Sequence, residues 1–283
     1  MDNRDDIREF LTSRRARITP QQAGLPVYGT NRRVPGLRRE EVALLAGVSI
    51  DYYTQLERGR LAGASESVLD AVARALHLDD AERSHLFDLA RTANTPARPR
   101  RKPAPKVRPG LQRLIDALVD APAMIRNGRM DLLAANRLGR AMYAPIFQSA
   151  GTPNVARFQF LDPAAADFYT DWETAADITV ALLRTEAGRD PYDRNLTDLI
   201  GELSTRSDAF RTRWAQHNVR IHHTGTKSFH HPAVGDLTLD YESIALSNDH
   251  GLNLTVYTAT PGSSSADALH LLASWAAPAP AEG

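Results

Sequence analysis

The chain has 283 residues, enough for two domains of ordinary size, and its 42% hydrophobic content supports buried cores, yet no apolar run approaches the roughly 18–20 residues that span a bilayer. The opening MDNRDDIREF is charged and has no apolar signal core, so a cytoplasmic protein is expected, and the lack of cysteine excludes disulfides, thiolate metal sites and a cysteine nucleophile. The 34 basic and 34 acidic residues cancel, but residues 1–110 hold 20 basic against 14 acidic and residues 111–283 hold the reverse, which fits a DNA binder joined to a domain that should not bind DNA.

Asp5–Arg17 reads as a first helix with Ile7, Phe10 and Leu11 as its buried stripe. Residues 18–36 are interrupted by Pro20, Pro26, Pro35, Gly24, Gly29 and Gly36, so they are mostly loop, and Arg32 and Arg33 in it are candidate phosphate contacts. The segment LRREEVALLAGVSIDYYTQLERG at 37–59 follows. Arg39–Ala46 is a helix with Val42, Leu45 and Ala46 on one apolar stripe, and Ala43 is small where a second helix would cross. Gly47 ends that helix in the left-handed conformation, and Ser49 caps the next. In Ile50–Arg58, Tyr53 and Leu56 turn inward while Ile50, Asp51, Thr54 and Gln55 face out.

An ordinary helical hairpin would share the small-x-x-x-Gly spacing. The coincidence of small residue, turn glycine, apolar Val48, cap and inward Tyr53/Leu56 pair points instead to a helix-turn-helix, whose second helix enters the major groove. Gln55 then suits adenine, Asp51 either accepts from cytosine or stabilises the first helical turn, and Ile50 or Thr54 meets a thymine methyl. Arg38, Arg39, Ser49 and Tyr52 suit phosphate, Arg58 suits either role, and Glu57 is expected to pair with an arginine inside the domain. Ser67–Leu76 and Asp79–Ala90 complete the set as supporting helices. As a whole, residues 4–91 resemble the Cro/repressor-like helix-turn-helix family of the xenobiotic-response-element (XRE) type, which implies an all-α five-helix domain.

Residues 95–109, TPARPRRKPAPKVRP, carry five prolines and six basic residues and read as an extended linker, either a solvated spacer or a source of further phosphate contacts. Beyond it, Leu111–Val119 is amphipathic, and Pro122–Arg126 and Asp131–Ala135 form a hairpin around Asn127-Gly128. Asn136–Tyr143, Asp171–Ala187, Asp193–Thr205 and Ser263–Ala276 read as helices. Arg220–Lys227, Leu237–Leu246 and Leu252–Thr258 read as strands. Five strands with helices inserted after the second imply one antiparallel sheet covered on one face.

The segments LLAANRLGRAMYAP (132–145), DW (171–172), LLRTEAGRDPYD (182–193), LIGELSTRSDAFRTRWAQHNVR (199–220), FHHPAVGDLTLDYE (229–242) and VYTATPGSSSADALHLL (256–272) together resemble the MmyB-like ligand-binding domain. That resemblance implies an α+β, PAS-like domain whose antiparallel sheet and helices enclose an apolar cavity able to take a fatty-acyl chain. The chain departs from it at Met130-Asp131 in the second strand, where Trp-Asp is frequent.

An apolar ligand with a carboxylate needs apolar walls and a polar group at the mouth. Wall candidates are Met124, Leu133, Met142, Tyr143 and Phe147, followed by Leu183, Trp214, Leu239, Tyr241 and Tyr257. Arg213, His217 and Arg220 are the candidate anchors. For each of these residues a place in an ordinary core is the stronger reading, and the cavity is the firmer expectation than its individual lining.

His222-His223 and His230-His231 bracket an expected turn, but adjacent strand residues face opposite ways, so each pair offers one ligand per face and no metal site is assigned. No catalytic constellation stands out and no cofactor is called for. The expected organisation is 1–94 helix-turn-helix, 95–109 linker, 110–276 ligand-binding domain and 277–283 tail. The expected protein is a non-enzymatic transcription regulator that binds double-stranded operator DNA as a homodimer and senses an apolar small molecule, with no membrane partner. Two other readings stay open: a DNA-targeted, histidine-dependent metal hydrolase, and a regulator whose second domain only dimerises.

Overall fold

The computed structural model describes residues 3–26, 34–94, 106–148, 151–219, 224–249 and 251–276. Backbone contacts divide the chain into two units. One comprises Met1–Arg101, Arg184–Asp198 and Thr212–Ile221, and the other comprises Lys102–Leu183, Leu199–Arg211 and His222–Gly283.

The first unit begins with five helices, α1 (Asn3–Arg17), α2 (Arg39–Ala46), α3 (Ile50–Glu57), α4 (Glu66–Ala75) and α5 (Asp80–Ala93). The sequence dictates their starts: Ser49, Ser65 and Asp79 side-chain oxygens accept from the amides of Tyr52, Val68 and Glu82. Gly47 closes α2 at φ 66°, a conformation that only glycine adopts without steric cost. Ile7, Phe10 and Leu11 of α1 share one core with Val42, Ala43, Tyr53, Leu56 and Leu86. On α2 the inward stripe runs through Val42, Ala43 and Ala46, because Ala43 and Ala46 stand one turn apart beside Val42. Leu45, expected on that stripe, falls on its shoulder and is 37% exposed. Residues 27–33 of the expected loop, including Arg32 and Arg33, lie outside the described residues. The loop's end is anchored to α1, where the Leu37 amide donates to the Arg15 carbonyl and Arg15 Nη1 donates back to the Leu37 carbonyl.

The second unit holds α6 (Pro109–Asp116), β1 (Ala123–Asn127), β2 (Leu132–Ala135), and the short helices α7 (Arg137–Met142), α8 (Ala144–Phe147), α9 (Val155–Leu161) and α10 (Ala164–Phe168). Then come α11 (Trp172–Arg189), α12 (Arg194–Arg206) and α13 (Asp208–Trp214), each divided between the units, and finally β3 (Thr224–His231), β4 (Gly235–Ala245), β5 (Leu252–Thr258) and α14 (Ser264–Ala276). The five strands form one antiparallel sheet in the order β2-β1-β5-β4-β3, as the α+β expectation requires.

Alternation along the strands divides the side chains between two faces. Met124, Leu237, Leu239, Tyr241 and Tyr257 share the main core with residues of α7, α9, α10 and α14. The other face is not wholly bare. Leu111 and Ile115 of α6 pack there on Ala123, Ile125, Ala134 and Leu254. Only its β3–β4 half is solvated, and polar cross-strand pairs such as Thr226–Asp240 and Ser228–Thr238 line it.

Two sheet details differ from the expectation. Met130 lies in the β1–β2 turn rather than in β2, with φ 67°, and the amides of Arg129 and Asp131 donate to Asn127 Oδ1. β3 runs four residues later at each end than the expected Arg220–Lys227, pairing Phe229 with Leu237 and His231 with Gly235, so both His230 and His231 are strand residues. Asn136 caps α7 as expected, and its side chain also joins Ala123, Leu118 and Ala121. Among the described residues no helix is long and apolar enough to cross a membrane.

Candidate nucleic-acid interface and ligand cavity

Tyr53 and Leu56 pin one side of α3 into the core, leaving Ile50, Asp51 and Tyr52 exposed on the other. Thr54 and Gln55 are half-buried, and Gln55 Oε1 is enclosed with no hydrogen-bond partner among the described residues, so its amide must swing out to meet a base edge. Arg58 lies just past the helix, exposed, with its amide donating to the Thr54 carbonyl. Ser49 uses its oxygen as the helix cap, which leaves its hydroxyl hydrogen for a phosphate.

The angle between α2 and α3 is fixed by charge as well as packing. Glu57, 1% exposed, receives Arg15 Nε at 2.7 Å and Arg39 Nε at 2.9 Å. Burial would push its carboxyl up, but the two guanidiniums outweigh burial and hold it below its ordinary value. Arg39 remains 49% exposed while making this contact. Arg38 caps α2 through its backbone amide on Glu41 and pairs loosely with Glu40 at 3.3 Å, both partners exposed.

In the second unit the inner face of the sheet encloses a cavity of about 30 Å³. Met124, Arg126, Met130, Tyr143, Val155, Ile178, Thr179, Leu182, Lys227, Thr255 and Tyr257 line it. The volume suits one water molecule. The Tyr143 and Tyr257 hydroxyls lie 2.7 Å apart. Burial, above all, keeps both phenols protonated, with Tyr257 pushed up to about 12 and Tyr143 well above its ordinary value.

Of the expected wall residues, Met124, Tyr143 and Tyr257 line this cavity, and Met142, Leu239 and Tyr241 belong to the same core. Phe147 packs at the edge of that core under the Arg140 guanidinium. Leu183 is buried in the same unit. Leu133 is a correction: a register shift between Ile125 and Arg126 turns it to the α6 side of the sheet, away from the cavity. Trp214, Arg213 and His217 belong to the first unit and contribute nothing to the cavity lining, and Arg220 lies outside the described residues. In the first unit the Arg184 guanidinium stacks on Trp214, and His217 Nε2 meets Glu9 at 2.7 Å. Burial, then Arg184 and Arg14, lower His217 to about 3. A neutral imidazole already bound to Glu9 is no anchor for an anion.

Met130, noted above for its departure from Trp-Asp, lines the cavity, whereas Arg126 and Lys227 were not singled out by the sequence. The available signal was a charge at an inward position of an apolar strand: Arg126 shares its face with Met124, and Lys227 shares its face with Phe229. As for metal, both ring nitrogens of His231 are engaged, Nε2 with the Ala141 carbonyl and Nδ1 with the Ala233 amide, and His222 and His223 lie outside the described residues. Among the described residues no group of three His, Cys, Asp or Glu is placed to hold a metal ion.

Comparison with known families accounts for both halves of the chain. A helix-turn-helix domain matches residues 8–86, and the MmyB-like transcription regulator ligand binding domain matches residues 107–272. No curated protein matches the chain.

Proposed function

The chain belongs to the MmyB-like transcription regulators, and from that premise we propose that α3 reads operator DNA while the second unit binds a small apolar ligand, such as a fatty-acyl chain. The observation that carries the DNA half is α3 itself: Ile50, Asp51 and Tyr52 stand outward on a helix whose opposite side is locked by Tyr53, Leu56 and the Glu57 pairs. Ile50, Asp51, Thr54 and Gln55 contact bases in this reading, and Arg38, Arg39, Ser49, Tyr52 and Arg58 hold phosphate. The protein acts in the cytoplasm as a homodimer, because a single recognition helix buries little surface and reads few base pairs. The functional division falls into 1–94 for DNA, 95–109 as basic linker, 110–276 for the ligand and 277–283 as tail.

The cavity is far smaller than the several hundred Å³ of a typical ligand site, so an acyl chain enters only if the walls move. The side chains there are suited to it. Met124 and Met130 line the cavity and Met142 sits in the same core, and methionine repacks with little strain. A ligand controls DNA binding only through different affinities for two arrangements of the protein. Residues 178, 179 and 182 of α11 line the cavity, and residues 184–189 of that unbroken helix belong to the first unit, which makes α11 one covalent route between them.

Selection of binding sites from random duplexes by the purified protein tests the DNA half. A palindromic consensus is expected, and Ile50→Ala combined with Gln55→Ala should weaken binding to it at least tenfold without altering the fold. Absence of any enriched sequence, or undiminished binding by the double variant, would count against α3 as the reader.

A further inference from the structure

We propose that residues 184–189 and 214–219 form a strap that holds α1, and through α1 the recognition helix, so that displacing the strap weakens DNA binding. The proposal rests on the reading of α3 as the DNA-contacting helix and deepens it by naming what regulates that helix.

Both segments lie inside the stretch 107–272 that matches the ligand-binding family, yet they fold as part of the first unit with the five N-terminal helices. Val219 is buried in the same core as Ile7, Phe10 and Leu86. α13 ends at Trp214, and His217 turns at φ 53°, which takes the carbonyls that follow out of a helical ladder. Arginines satisfy them instead. Arg184 donates to the Trp214 carbonyl, Arg14 to the His217 carbonyl at 2.6 Å and Arg17 to the Gln216 carbonyl at 3.3 Å. Acids of α1 and α5 complete the joint: Glu82 lies 2.7 Å from Arg14, Glu9 2.7 Å from His217, Asp6 3.4 Å from Arg184 and Asp88 3.3 Å from Arg189. Arg14 and Arg184 are 2% and 3% exposed, and charges buried to that degree are stable only while every partner stays in place.

α1 carries the effect onward. Arg14 faces the strap, and Arg15, about 100° further round the helix, bonds Glu57 of α3. The strap therefore fixes one side of α1 while the recognition helix is clamped to another. α11 meets α5 at Gly188, where any side chain would overlap the buried His85 ring, so the joint has no slack. Ile178, Thr179 and Leu182 of the same helix line the cavity, and a ligand that shifts α11 acts on this joint.

The test uses the full-length protein and the duplex that it selects from random sequence. Gly188→Leu drives a side chain into the joint, and Gly201→Leu on α12, where an added Cβ meets nothing within 4 Å, is the control. Gly188→Leu should lower operator affinity about five- to a hundred-fold and speed amide exchange in α1 and α3, and the control should do neither. In the wild type, operator binding should slow amide exchange across 184–189 and 214–219, because coupling is reciprocal. Thermal unfolding checks that Gly188→Leu folds; where it does not, the wild-type exchange decides alone. A folded Gly188→Leu variant with wild-type operator affinity would overturn the strap, as would strap exchange indifferent to operator, and either leaves α3 in place as the reader. A wild type that selects no duplex removes the α3 reading and the strap with it.

Discussion

Glu57 is the residue on which the DNA-binding geometry turns, because a carboxylate 1% exposed must be neutralised where it stands. Arg15 is 14% exposed and Arg39 49%, so the two pairs are not equivalent. Removing Glu57 leaves the Arg15 guanidinium poorly compensated, and Glu57→Ala should cost about 3–5 kcal/mol of unfolding free energy in urea titration. Arg39→Ala should cost less than about 1 kcal/mol, since solvent screens most of that pair. The Glu57 carboxyl is held below its ordinary value of 4.5, so its contribution is complete above pH 4.5 and fades as pH falls further. His85 works over a different window. It is 2% exposed, edge-on to Phe10, and burial followed by the Arg184 and Arg14 charges lowers it from 6.5 to about 3. The unfolded chain therefore takes up this proton first, and stability drops as pH falls from 6.5 toward 3, with His85 contributing about 1.4 kcal/mol per pH unit and His217, also lowered to about 3, adding to it. Asp6, pushed up to about 6 chiefly by burial, acts in the opposite sense between pH 6 and 3.8 and offsets part of that loss. Urea midpoints at pH 7.5, 6 and 5 should fall less steeply in His85→Gln than in the wild type; parallel slopes would show that His85 is not the proton acceptor.

At the scale of elements, what was legible in the sequence depended on length and on local caps. α2, α3 and α4 announce themselves through Gly47, Ser49 and Ser65, whose roles are set within a few residues of chain. α8, α9 and α10 span four to seven residues, fewer than two helical turns, and so offer no periodicity to read. β3 was displaced because Gly225 and the paired histidines mimic turn punctuation, whereas its bounds come from pairing with β4, a long-range property. The register shift that turns Leu133 to the α6 side is equally invisible locally. For the site, the α3 candidates followed from helix phase alone, but the cavity cations depended on knowing which strand face is inward. Gly47 gives this scale its own prediction. At φ 66° an alanine is strained, and Gly47→Ala should lower stability by about 1 kcal/mol, with Gly47→Asn costing less because asparagine tolerates the left-handed region. Thermal melts of the two variants side by side would show the order, and a reversed order would mean that the corner tolerates a different backbone.

For the whole molecule the governing quantity is how charge is distributed rather than its zero sum. The excess of Lys and Arg before residue 110 and of Asp and Glu after it confines attraction for a polyanion to the N-terminal part. Within that part the exposed arginines are not equally available. Arg39 is already drawn to Glu57 and Arg38 to Glu40, so phosphate must compete with a carboxylate for each, whereas Arg58 stands exposed beside the end of α3. If each copy in a dimer offers these three to phosphate, the logarithm of affinity should fall with the logarithm of salt at a slope of about −5. Arg58→Ala should then reduce the slope by about two per dimer and weaken operator and random duplex alike, because phosphate contacts position without specifying sequence. Gln55→Ala should do the reverse, narrowing the gap between operator and random duplex while leaving the slope unchanged. Fluorescence anisotropy over a salt series with both duplexes separates the two effects, and an Arg58 variant with an unchanged slope would remove that arginine from the phosphate contacts.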